Sequence, residues 1–253
     1  MNNGIGVLKE VDNLGRLVIP KEMRDFFKLS ELVELVVTTD GILVRNPKYE
    51  VIENCLIDVR NKKLIQGLSS GSIPQDGQVE RLGQFCFSNT AIESVQIPEG
   101  ITTIPSNAFS HCNELTDISL PNSLKVLDAT CFAWCPQIEQ IELPEGLQNI
   151  NTFVFDASSL VDVIIPSTVV KVQERAFGDI PTLRTVTFKK QTDEDGNIIV
   201  PTISDKAFYQ SGNSGSDQML TFNLPWPAEA TPNAPWGATN CVLNFNYEEE
   251  AEE

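Results

Sequence analysis

Residues 95–109, VQIPEGITTIPSNAF, and residues 118–132, ISLPNSLKVLDATCF, follow one pattern. Each is a short β-prone run ending in proline, then a second apolar pair, then a turn closed by phenylalanine. Residues 141–155, IELPEGLQNINTFVF, and 163–177, VIIPSTVVKVQERAF, repeat it. The prolines Pro98, Pro121, Pro144 and Pro166 stand 23, 23 and 22 residues apart, and Phe109, Phe132, Phe155 and Phe177 keep the same spacings. An atypical leading unit carries Pro74 and Phe87. A trailing one carries Phe188 and Phe208 around an insertion at residues 189–202. Two independent landmarks in register over four units predict a stack of coils. One such unit cannot bury both its Leu/Ile stripe and its Phe, whereas stacked units share a continuous core.

Strands are expected at residues 95–97, 118–120, 141–143 and 163–165. Proline sits just past each, because it has no N–H to give a ladder and pre-sets the turn. Cys112 and Cys135 each lie three residues after a repeat Phe and read as small buried hydrophobes. Cys131 and Cys135 have no second pair to complete a zinc site, so no metal is expected. The segments IPEGITTIPSNAFSHCNEL and LPNSLKVLDATCFAWCPQI resemble the BspA-like class of leucine-rich repeats, over roughly residues 55–222. The resemblance implies a solenoid used as a binding scaffold.

Aligning the units places Glu93, Thr116, Glu139, Val161 and Arg184 in one outward column. Ser94, Asp117, Gln140, Asp162 and Thr185 form a second, and Gln96, Ser119, Glu142, Ile164 and Thr187 a third. The face is polar to acidic and then gains Val161 and Ile164. Glu93, Asp117, Glu139, Glu142, Val161, Asp162 and Ile164 are therefore the candidate partner-binding residues, against the alternative of a merely solvated face.

The chain has 253 residues, 41% hydrophobic and 21% charged, a balance that indicates folded domains rather than disorder. Its net charge of −17 is uneven. Residues 1–50 hold seven Lys/Arg against eight Asp/Glu, and residues 51–253 hold eleven against twenty-seven. The acidic body repels phosphates and suits either solubility or a basic protein partner. The N-terminus lacks a basic start followed by a long apolar run, and no stretch approaches the roughly 20 apolar residues of a membrane helix. Those absences predict a cytoplasmic protein with no membrane contact, its six cysteines reduced.

Residues 5–46 read as strand, strand, helix, strand, strand. Pro20 opens the helix where a missing N–H costs nothing, and Asp40-Gly41 predicts a two-residue hairpin turn between residues 35–38 and 42–45. So small a unit cannot bury enough surface alone, and an interleaved dimer would remedy that. GVLKEVDNLGRLVIPKEMR, residues 6–24, resembles the AbrB/SpoVT swapped-hairpin signature. The resemblance implies a homodimer through residues 1–48 whose chains exchange hairpins to complete one small barrel. It also implies a DNA-facing surface carrying Lys9, Arg16 and Arg24, with Lys21 beside them. Glu10 and Asp25 stand where that family often has further basic residues, and each would weaken phosphate binding.

Residues 223–247 add strand-like runs around a loop with Trp226 and Trp236 and read as a cap on the last repeat. The tail at 248–253, EEEAEE, is a solvated charge run. The fold class expected is mainly β with short helices: a swapped-hairpin head (1–48), a solenoid (49–222), the cap and the tail. With one histidine, His111, in a repeat turn, and no phosphate loop or nucleophile elbow, neither catalysis nor a cofactor is expected. Two functions remain open. One is a dimeric DNA-binding transcriptional regulator whose solenoid binds a protein. The other is a non-DNA-binding interaction or inhibitor protein, of phage or mobile-element type, that dimerises by its head and grips a basic protein.

Overall fold

The computed structural model describes residues 34–38, 41–45, 49–212 and 219–248. The chain divides into two compact units, Met1–Glu50 and Val51–Glu253. In the first, strands Glu34–Thr38 and Gly41–Arg45 pair antiparallel. The register sets Thr38 opposite Gly41, so Gly41 opens the second strand instead of sitting in the turn. This register faces Leu35, Val36 and Val37 with Val44, Leu43 and Ile42. A turn at Asp40-Gly41 would instead set Leu35 against Asn46. The expected helix and the rest of the swapped-hairpin head lie outside the described residues.

The second unit is a stack of coils whose strands fall in two rows. The second row is continuous and parallel: Thr103–Ile104, Val126–Leu127, Asn149–Ile150, Lys171–Val172 and Thr202–Ile203. The first row contains Ser94–Gln96 and Asp117–Ser119, then Asp162–Ile165, Thr185–Phe188, Leu220–Leu224 and Cys241–Phe245. It is split into a two-stranded and a four-stranded parallel sheet. Residues 141–143, expected as the strand between them, form none. Elsewhere the observed strands begin one residue earlier than expected, at Ser94, Asp117 and Asp162. Strand Lys63–Gly67 pairs antiparallel with Cys55–Asp58 and parallel with Arg81–Leu82, covering the first coil.

Phenylalanine builds the third side. Phe87, Phe109, Phe132, Phe155, Phe177 and Phe208 are fully buried and stack face to face, with centroids 5.2–5.8 Å apart. Each would contribute about 1.5–3 kcal/mol by burial alone. Each also donates its N–H to the coil that follows, as Phe109 does to the Cys131 carbonyl at 2.9 Å and Phe132 to Val154 at 3.1 Å. The residues two after each of these Phe, and two before each but Phe208, adopt positive φ even when bulky: Phe153 at 60°, His111 at 58° and Trp134 at 56°. Neighbouring coils fix that left-handed backbone by accepting these N–H groups: His111 donates to the Ala133 carbonyl and Trp134 to the Asp156 carbonyl.

Phe188 does not close a turn. It ends a strand beside Ile165 and packs edge-on against Trp226, 5.2 Å away. Trp226 and Trp236 are buried at the end of the stack, where Phe222 meets Phe208 edge-on at 5.0 Å. Five cysteines are buried in the core and Cys241 is half-buried. Among the described residues the only helix is the single turn Ala228–Ala230, and no helix is long and apolar enough to cross a membrane.

One ionic clamp ties three coils. Arg175 donates from Nε to Asp156 at 2.9 Å and also binds Asp179, with its guanidinium 5.2 Å from both the Phe153 and Tyr209 rings. Asp156 is almost wholly buried, and that burial raises its carboxyl above the usual range, outweighing the lowering by Arg175. Gly178 makes the fit possible, since a Cβ there would lie 2.4 Å from the Asp156 carboxylate.

A candidate partner-binding depression on the first strand row

The break in the first row has a physical cause in the residues that face outward there. In the third outward column, Thr187, Asn223 and Asn244 are neutral and join hands: Asn223 donates to Thr187 at 3.0 Å and Asn244 to Asn223 at 3.0 Å. Strands form through all three. Glu142 occupies the same column one coil before Ile164, with Glu139, Glu145 and Asp162 close by in the lining of one depression. Glutamate is a poor strand former. Residues 140–143 accordingly make no backbone hydrogen bond to either neighbouring coil among the described residues. The stack stays in contact on both flanks: Val161 donates to the Glu139 carbonyl at 3.1 Å and the Thr168 hydroxyl to the Glu145 carbonyl at 2.7 Å.

The gap is a depression of about 500 Å³ between residues 139–145 and 161–166. Its floor exposes the side of the core. Ile141 and Leu143 line it, Leu143 half-buried like Leu120 one coil earlier and Ile141 buried. Val161 and Ile164 add apolar surface, Ile164 being 52% exposed. Lys189 closes one end by an ion pair to Glu145 at 2.6 Å, reaching across a whole coil. It is the only cation among the described residues lining the depression, against four carboxylates.

Of the seven solenoid residues singled out from the sequence, Glu139, Glu142, Val161, Asp162 and Ile164 meet in this depression. Glu93 and Asp117 do not. They are exposed further along the same face, where the Asp117 N–H donates to the Glu93 carbonyl at 3.3 Å. Lys9, Arg16, Lys21 and Arg24 lie outside the described residues. Sequence reading missed Glu145 and Lys189, which sit in a turn and after a strand, and missed that Leu143 is only half-buried. A second depression, about 600 Å³, flanks Ser94–Gln96. There Gln75 spans the gap by donating to the Gln96 carbonyl at 3.1 Å, so the chain closes it with its own side chain. His111 is exposed and stacks on Trp134 at 4.7 Å, with nothing acidic or nucleophilic drawn to it. No group of three or more His, Cys, Asp or Glu gathers as a metal site among the described residues.

Comparison with known proteins places the solenoid. The model of the BspA type leucine rich repeat region matches residues 80–214 in six copies, a little over half of the chain. Among solved structures, the leucine rich repeat protein of T. pallidum aligns with a TM-score of 0.50 and 18% identity, over 84% of this chain and 98% of that one. The pneumococcal vaccine antigen PcpA aligns with a TM-score of 0.45 and 14% identity, over 81% of this chain and 49% of its own. No curated protein matches. Solenoids of this kind offer long binding surfaces, so the architecture is that of a protein-interaction or surface repeat protein. With the coils in register, the Phe stack and the family match in agreement, the chain belongs to the BspA-type leucine-rich repeat family.

Proposed function

We propose that this chain is a non-catalytic interaction protein, acting in the cytoplasm as a homodimer, whose solenoid binds a basic protein at the depression between residues 139–145 and 161–166. The observation that carries the reading is the coincidence of four carboxylates with exposed apolar side chains at the one place where the first row opens. Apolar contact supplies affinity there, and the carboxylates supply sign selectivity and a faster encounter. Two solenoids on one dimer would bind a repeated or dimeric partner with added avidity. The test uses full-length chain, wild type against a variant carrying Glu139→Lys, Glu142→Lys and Asp162→Lys, as bait in cell lysate at low and moderate salt. Capture of a basic protein by the wild type and its loss in the variant supports the reading. Equal capture by both rejects it.

A second reading is favoured by the motif at residues 6–24, namely that the head also contacts duplex DNA through Lys9, Arg16, Lys21 and Arg24. Glu10 and Asp25 lower the number of phosphates neutralised, so the expected binding is weak, with a shallow salt dependence. Filter binding over a salt series tests it, and absence of duplex binding at low ionic strength leaves the head as a dimerising device. Light scattering gives the dimer directly.

A further inference from the structure

The outward ladder beside the Phe stack lacks one rung. The residues two after each stacked Phe run Asn89, His111, Trp134, Ala157, Asp179 and Gln210, one per coil. Backbone bonds hold them in register: Trp134 donates to the Asp156 carbonyl at 2.8 Å, Ala157 to Gly178 at 3.0 Å and Asp179 to Tyr209 at 2.8 Å. His111, one coil earlier, covers one face of Trp134, with the ring planes 10° from parallel. The opposite face looks toward the following coil, where the matching side chain is the methyl of Ala157. Trp134 is accordingly 38% exposed, whereas Trp226 and Trp236 are buried. One coil past Ala157 stands Asp179, whose Oδ2 binds Arg175, leaving Oδ1 to accept from a second cation. The column two before each Phe shows what fits such a place. There Arg175 follows Phe153, its guanidinium 5.2 Å from the Phe153 and Tyr209 ring centroids and bonded to the Asp156 and Asp179 carboxylates. A flat cation thus occupies one coil step between ring and carboxylate.

We propose that the open face of Trp134 is a recognition site for an arginine side chain of a partner protein, its guanidinium stacked on the indole over Ala157 and drawn toward Asp179. Arginine suits the place better than lysine. Its guanidinium is planar and weakly hydrated, so it lies on an aromatic face while its N–H groups reach a carboxylate in its own plane. A lysine ammonium is a compact, strongly hydrated point charge that must shed more water to sit on the ring. The anionic body favours the approach of either cation, and the ring chooses between them. None of Trp134, Ala157 and Asp179 lines the depression, so this site stands apart from the reading above.

The test is tryptophan fluorescence of the full-length protein, titrated with N-acetyl-arginine amide and with its lysine and citrulline counterparts at matched ionic strength. Trp134 is the tryptophan open to solvent, so a change in emission reads this site. Citrulline keeps the plane without the charge, and lysine keeps the charge without the plane. The arginine amide should give a saturable change, and the other two should bind about threefold more weakly or worse. Ala157→Phe sets a ring in the missing rung, on a backbone that already carries His111 and Trp134 at φ of 58° and 56°, and should abolish the response. Asp179→Asn should weaken the arginine amide about threefold. Glu142→Lys, inside the depression, should leave the response unchanged, which separates this site from the lysate result. No saturable change, equal binding of the three amides, or an undiminished response in Ala157→Phe overturns the site. Because the three amides are compared on wild-type protein, misfolding of a variant cannot mimic the preference.

Discussion

The two rows of strands run through the same coils, yet they treat the third coil differently. In the second row, Asn149–Ile150 pairs with both Val126–Leu127 and Lys171–Val172. In the first, the same coil bonds to neither neighbour along residues 140–143. The hydrophobic stripe is present in both, Ile141 and Leu143 in one and Leu147 and Ile150 in the other. What differs is the outward face. Thr103, Val126, Asn149 and Lys171 show uncharged or isolated side chains, and Asp128, Asn151 and Gln173 even link across coils at 2.9 and 2.7 Å. Glu139, Glu142, Glu145 and Asp162 line one depression instead. Inward apolar pattern sets the coil; outward charge decides whether its rungs close.

The largest expected effect removes what both rows share. Phe132→Ala leaves a void between Phe109 and Phe155 and should cost about 3–5 kcal/mol by urea denaturation, with both rows lost in one transition. An effect confined to one row would mean that the coils are not coupled through the Phe stack. Arg175→Ala strands the buried Asp156 charge and should cost about 3 kcal/mol at neutral pH. The sign of its pH dependence follows from the raised Asp156 carboxyl. The folded state holds that proton to higher pH than the unfolded chain, so this contribution is complete below the ordinary carboxylate range and is lost as pH rises through the folded value. Arg175→Ala should steepen that loss, and Asp156→Asn should abolish it.

A smaller pair of substitutions exchanges the character of the rows. Glu142→Thr, copying Thr187 of the same column, should stabilise the chain by about 0.5–1 kcal/mol and bring residues 140–143 into the ladder. Val126→Glu in the second row should cost a similar amount, about 0.5–1 kcal/mol. Thermal unfolding measures both, and opposite signs to these would remove outward charge as the cause of the break. The smallest effect is salt: screening should raise wild-type stability by a few tenths of a kcal/mol, roughly, and do so less in Glu142→Thr.

Much of this was legible in the sequence, and the exceptions have common causes. Pro98, Pro121, Pro144 and Pro166 with the four Phe set the coils, because both residues act locally, one by lacking an N–H and the other by needing burial. Residues 141–143 read as a strand because Ile-Glu-Leu alternates correctly; the carboxylates gathered beside it come from a coil away, in Asp162, and from past a turn, in Glu145. The outward columns did bring five of seven candidate residues to one place. Lys189 escaped notice since its partner Glu145 lies 44 residues earlier, and the left-handed turns at His111 and Trp134 carry neither glycine nor asparagine as a signal. Gly41 shows the reverse: read as part of the turn, it opens the second strand, opposite Thr38.

The central claim is that one coil is closed in the second row and open in the first, and amide hydrogen exchange reads this residue by residue. The amides of Ile141, Glu142 and Leu143 should exchange at rates close to those of an open loop, while Asn149, Ile150 and Asn151 of the same coil are strongly protected. Equal protection in both segments would mean that the first row is continuous, and the depression and its partner would go with it.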